Sequence, residues 1–180
     1  MNHLSRIIGF AIVASSILVI ATNSWAEAKA PAPAASEFYP LLGKWHGKGE
    51  LVDFGKDHPV SVKLTLSLSC KKVSSGWAVA CNMMAKNGAM LMTESDLMGV
   101  DPVTGQAHWY AVTNQGETHD HLAKWIDAKT MKAHYAWTQG GAKMEENIVF
   151  NFKGKKSATW SSVVTADGKR AGQFSGTISK

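Results

Sequence analysis

The stretch VSVKLTLSLSC, Val60–Cys70, alternates apolar and polar side chains without a fault. Val60, Val62, Leu64, Leu66, Leu68 and Cys70 share one face, and Ser61, Lys63, Thr65, Ser67 and Ser69 share the other. A period of two sustained this long marks an antiparallel strand with one face buried and one in water. Outward from it, turn signals recur at short intervals: SSG, KNG, DPVTG, NQG, DAK, QGG, KGK and ADG. Between them lie runs rich in Val, Thr, Trp, Tyr and Phe, and no window shows a helical period of useful length. Strands spaced about ten residues apart predict an all-β chain, a single antiparallel up-and-down barrel of about 8–10 strands.

The strand runs on into SLSCKKVSSGWAVACNMM, which reads as a hairpin. A two-residue turn at Ser75-Gly76 sets Cys70 opposite Cys81 on one face, with Leu68 and Met83 as the next pair. That turn makes Cys70–Cys81 a hydrogen-bonded pair, whereas a four-residue loop makes it the closer non-hydrogen-bonded kind. A disulfide between these two cysteines is the expected outcome in an oxidising compartment. Asn87-Gly88 is the strongest turn signal and, as a type I′ turn, pairs Met83 with Met92.

The N-terminus supplies the compartment. Arg6 precedes the apolar run Ile7–Ala21, and Ser24-Trp25-Ala26 places small residues at the −3 and −1 positions of a cleavage site. The run is short of the about twenty residues that a bilayer span needs. Residues 1–26 therefore read as a cleaved signal peptide, with Ala28-Lys29-Ala30 as a second cleavage site and a retained anchor as the alternative, and residues 27–37, rich in Pro and Ala, as a linker. The barrel domain is expected over 38–180, in the periplasm or secreted, with no stable membrane insertion after cleavage. Losing Arg6 lowers the net charge from +5 to +4, 18 basic against 14 acidic residues. The lysines are scattered rather than blocked, so neither nucleic acid nor an anionic membrane is an expected partner.

LLGKWHGKGEL, Leu41–Leu51, resembles the Gly-x-Trp opening of lipocalin-like calycin barrels. LMGVDPVTGQAHWYAVTNQGE resembles a strand–turn–strand signature of a family of exported bacterial lipocalin-like domains. The resemblance implies a barrel whose Trp45 plugs one end and whose interior holds a small hydrophobic or amphipathic molecule. The opening is also similar to that of nitrobindin-type haem barrels, which carry the iron on a histidine in a late strand. Here KSATWSSVVTADGKRAGQFSGTISK contains no histidine, so haem is not expected.

Candidate functional residues follow from strand faces. Trp77, Met83, Met90 and Met92 share a face with Val79 and are the expected ligand lining, joined by Trp109. Thioethers also suit Cu(I). Met84 points the other way, however, so the methionine group (Met83, Met84, Met90, Met92, Met98) reads as core or pocket lining rather than a copper site. In GETHDHLAKW a three-residue NQG loop pairs Ala111 with His119 and Trp109 with His121, leaving His108 opposite Leu122. That register gives His119 and His121 no third histidine. A one-residue slip would bring His108, His119 and His121 together as a zinc or copper set, and Glu117 is another possible third ligand. The expected arrangement is solvent-facing histidines near a rim, without a metal. Glu94 and Asp96 lie on one strand face, either as a buried acid/base pair or turned to solvent by a bulge, which is the simpler expectation. No Gly-x-Ser-x-Gly elbow, activated-cysteine context or Gly-rich phosphate loop is present, so the sequence points to a binder rather than those enzymes. A structural or protein-interaction domain without ligand is the remaining alternative.

Overall fold

The computed structural model describes residues 34–180, apart from Lys56 and Ala89. The expected signal segment and the linker as far as residue 33 lie outside the described residues. A 3-10 helix, Ala34–Leu41, opens the described chain, ahead of the expected start at Phe38. Ten strands follow: β1 (Gly43–Asp53), β2 (Val60–Val73), β3 (Ala78–Asn87), β4 (Met90–Val100), β5 (Ala107–Thr113), β6 (Thr118–Trp125), β7 (Thr130–Gln139), β8 (Ala142–Phe152), β9 (Ser157–Ala166) and β10 (Lys169–Ser179). Each pairs antiparallel with its sequence neighbours, and β1 pairs with β10 to close the barrel.

The alternation read in Val60–Cys70 sets the inner face of β2: Leu64, Leu66, Leu68 and Cys70 are buried, while Lys63, Thr65 and Ser69 are exposed. The same parity runs round the barrel through Val79, Cys81 and Met83 on β3, Met98 on β4, and Trp109 and Ala111 on β5. One end is packed solid. Phe38 and Leu41 of the 3-10 helix are fully buried there, with Trp45 from β1 and Phe152 from β8. The Trp45 indole N–H donates to the Leu41 carbonyl at 2.7 Å, which satisfies its only polar atom inside the plug. The Lys180 ammonium sits 4.5 Å from the centre of the Trp45 ring.

The glycines of the opening motif have a steric cause. A Cβ on Gly47 would lie 1.9 Å from the Thr177 carbonyl oxygen, so β1 approaches β10 closely only because no side chain is there. A Cβ on Gly49 would meet the Phe174 ring at 2.8 Å.

Two turns differ from the sequence expectation. Val73 pairs with Ala78, so the β2–β3 connection is the four-residue form, with Ser74–Gly76 in a 3-10 turn. Cys70 still faces Cys81, now with Cα atoms 4.1 Å apart, the close spacing of a non-hydrogen-bonded pair, and the disulfide is formed. Trp77 falls in this connection and off the inner face expected for it. In the next hairpin Asn87 pairs with Met90, so Met83 faces Glu94 and Ala85 faces Met92. A change of two residues in pairing leaves every side chain on its own face, so hydrophobic alternation does not distinguish the two registers.

The disulfide spans 11 residues. Replacing both cysteines by alanine is expected to cost about 2–3 kcal/mol of unfolding free energy, from the lost constraint on the unfolded chain. Chemical denaturation of the double variant checks this, and thiol alkylation of the folded native protein without reductant should label neither cysteine.

Candidate functional site

Opposite the plug, the barrel interior opens into a cavity of about 320 Å³. Its walls are apolar over most of their extent: Leu64, Leu66, Met83, Met92, Trp137 and Phe174 line it, among others. Trp109 and Trp160 line it as well, so three indoles border one space. Of the residues expected to bind ligand, Met83, Met92 and Trp109 lie on this wall. Trp77 sits in the β2–β3 turn and Met90 is exposed at the far end of β4, and neither borders the cavity. The methionines do not converge: Met83 and Met98 are buried inside, whereas Met84 and Met90 are exposed.

The histidines are placed by β6. Ala111 pairs with His119, Trp109 with His121 and His108 with Leu122, the unslipped register. The faces, however, overturn the expectation of solvent-facing rings. His121 is only 3% exposed and both it and His119 line the cavity, while Leu122 on the outer face is 48% exposed. The cause lies in the partner strand. β5 presents Trp109 and Ala111 to the core, and pairing carries His121 and His119 inward with them. His108 is on the outside, its Nδ1 3.0 Å from the Asp120 carboxylate.

The third group at the histidines is Glu146 from β8, two strands away. Its Oε2 is 3.0 Å from His121 Nε2 and 3.9 Å from His119 Nδ1. Its Oε1 accepts a short hydrogen bond from the Ser162 hydroxyl. His121 Nδ1 faces the Trp109 carbonyl at 3.3 Å. A carbonyl only accepts, so this contact is a hydrogen bond donated by Nδ1, and Nε2 is the nitrogen turned to Glu146. The His119 ring stacks on Tyr135 and Trp137, with centroids 4.8 and 5.6 Å away. Burial holds its pKa below the ordinary imidazole value, against the raising influence of Glu146. For Glu146, burial works to raise the pKa, but the hydrogen bonds from His121 and Ser162 outweigh it and hold the carboxyl below its usual range.

An acidic pair sits beside this cluster. Glu94 and Asp96 both face inward, and β4 keeps continuous pairing with β3 and β5, so no bulge turns them to solvent. Asp96 is 5% exposed and accepts the Trp109 indole N–H at 2.8 Å. Burial pushes Glu94 up to about 9, reinforced by the negative charge of Asp96. Burial also raises Asp96, against the hydrogen bonds it receives from Glu94 and Trp109. The two carboxyls hold a proton between them, with Glu94 the neutral partner. Among the described residues, no lysine or arginine lines the cavity.

Nothing in the sequence joins Glu146 and Ser162 to the histidines, because only the β7–β8 and β8–β9 pairings bring them together. The clue available in the sequence was Glu146 itself, a charged residue on the face that Ile148, Phe150 and Phe152 continue as core.

No protein-family model matches this chain, and no curated protein does. Among solved structures it is similar to an S-type phycobiliprotein lyase from Guillardia theta, with a TM-score of 0.57 over 83% of this chain and 93% of that one, at 9% identity. The ten-stranded antiparallel barrel is accordingly a lipocalin-like, calycin-type fold. Among the described residues no helix is long and apolar enough to cross a membrane.

The raised Glu94 pKa predicts a pH dependence of stability. Below about 4.5 Glu94 is neutral in both folded and unfolded chains, so its burial carries no ionisation penalty. As pH rises towards about 9, the unfolded chain alone gains by ionising, and stability is progressively lost. Glu94→Gln should flatten this limb, bringing the denaturation midpoint at pH 8 above that of the wild type. Denaturant titrations of metal-stripped protein between pH 5 and 9 check it, and parallel profiles would contradict the assignment.

Proposed function

We propose that the protein is an exported binder, periplasmic or secreted, that holds a small amphipathic molecule inside its barrel. In this reading it belongs with the exported bacterial lipocalin-like domains that its Gly-x-Asp and Gly-x-Trp segments resemble. The observation that carries the proposal is the cavity. Its volume of about 320 Å³ falls within the range of small-molecule sites. Its apolar walls enclose a small set of convergent polar groups, Glu94, His119, His121 and Glu146. Apolar walls favour the hydrophobic body of a ligand, and the polar cluster fixes one end of it. The Cys70–Cys81 disulfide supports export, since such bonds persist in oxidising compartments.

An uncharged dye such as N-phenyl-1-naphthylamine suits this lining, which offers no cation to an acidic probe. It is expected to bind one per chain, quenching fluorescence from Trp109, Trp137 and Trp160 by energy transfer. Ala85→Phe adds a ring to the wall opposite Met92 and should weaken dye binding at least tenfold, with the near-ultraviolet dichroism of a folded protein. Native mass spectrometry of protein purified from its own cell envelope should show an organic adduct. A bare chain that also takes up no dye would replace this reading with a purely structural one.

A further inference from the structure

We infer that His119, His121 and Glu146 form a binding site for a divalent transition-metal ion, zinc or copper(II), on the wall of the cavity. The inference goes beyond the carriage of an organic ligand and does not depend on it.

One donor atom from each of the three residues lies within 4.8 Å of the others. Donors bound at about 2.0–2.2 Å around a tetrahedral ion sit roughly 3.3–3.5 Å apart. The His121 Nε2–Glu146 Oε2 pair, at 3.0 Å, already has nearly that spacing. His119 has to close from 3.9 Å on Glu146 and from within 4.8 Å on His121, by a sliding of its ring over Tyr135 and Trp137. Two imidazoles with one carboxylate are a donor set that suits zinc and copper(II) better than calcium or magnesium, which prefer all-oxygen sites.

The surroundings orient each ligand. Trp109's carbonyl holds His121 by Nδ1, which leaves Nε2 as the metal-facing nitrogen. Ser162 occupies Glu146 Oε1, which leaves Oε2 directed at the histidines. Such outer partners are the usual support of metal ligands. Charge points the same way: Glu117 and Glu146 line the cavity, where among the described residues no lysine or arginine opposes them. All three ligands line the cavity, so the remaining coordination position faces it.

The test is a titration of chelator-stripped, dialysed protein with Zn²⁺, with Co²⁺ absorption as a second readout. We expect one ion per chain at submicromolar Kd and intense visible Co²⁺ bands of a four- or five-coordinate site. Glu146→Gln and His119→Gln should each weaken binding at least tenfold, and His108→Ala, on the outer face, should leave it unchanged. If Glu146→Gln fails to fold, His119→Gln, whose ring is partly exposed, decides alone. Absence of stoichiometric binding, or binding untouched by the inner variants, would overturn the site, as would binding lost in His108→Ala. Failure here with dye uptake intact would remove the metal and leave the binder.

Discussion

Closure of β1 against β10 is the constraint on which the rest of the molecule depends. An open ten-stranded sheet would leave its inner face partly wet and two edges unpaired. Closing it commits every inward side chain to one shared interior, whatever its polarity. The closure is tight because β1 carries glycine where β10 comes nearest: at Gly47 any side chain would collide with the Thr177 carbonyl. Gly49 serves the interior instead, leaving the volume that Phe174 occupies.

The interior so formed has two halves with different physics. At the plugged end Phe38, Leu41, Trp45 and Phe152 are buried together, and apolar burial at roughly 25 cal/mol per Å² favours closure there. The Trp45 indole N–H is satisfied there by the Leu41 carbonyl, whereas the buried indole N–H of Trp125, stacked on Phe152, has no partner among the described residues. The open half breaks the rule of apolar interiors with the carboxyls of Glu94, Asp96 and Glu146 and two imidazoles. Each is tolerated because it is neutral or paired: Glu94 retains its proton beside Asp96, and Glu146 is held by His121 and Ser162. Such arrangements reduce the stability available from burial, and they concentrate at sites that bind or react.

The polar cluster also explains why the cavity is amphipathic rather than greasy. Trp109 links its two parts, donating through its indole to Asp96 and accepting through its backbone carbonyl from His121. Its ring also packs on that of His121, with centroids 5.6 Å apart, so movement of the side chain would disturb the acid pair and the histidines together. A ligand seated against Trp109 would feel both.

Much of the fold was legible in the sequence, because alternation with period two reports which side chains share a face. The faultless run Val60–Cys70, the NQG hairpin with its His119 and His121 pairings and the facing cysteines were local readings that the structure reproduces, and the Trp45 plug was what the family resemblance implied. Alternation does not say which face of a polar strand points inward. THDHLAKW, Thr118–Trp125, sets Leu122 among Thr118, Asp120 and Lys124 on one side and two histidines beside Ala123 and Trp125 on the other, so apolar residues are divided between the faces. The inward turn of the histidines was decided by pairing with Trp109 on β5. The Met83–Glu94 register, two residues from the Asn87-Gly88 expectation, escaped for a related reason: both registers keep the same faces, and only closure of the whole barrel chooses between them. The sequence by itself determined the strands, their order and the disulfide, since these follow from local period and turn chemistry. Only the tertiary structure brought Glu146 and Ser162 to the histidines, because contacts between strands that are distant in the chain are set by the barrel's curvature and shared interior.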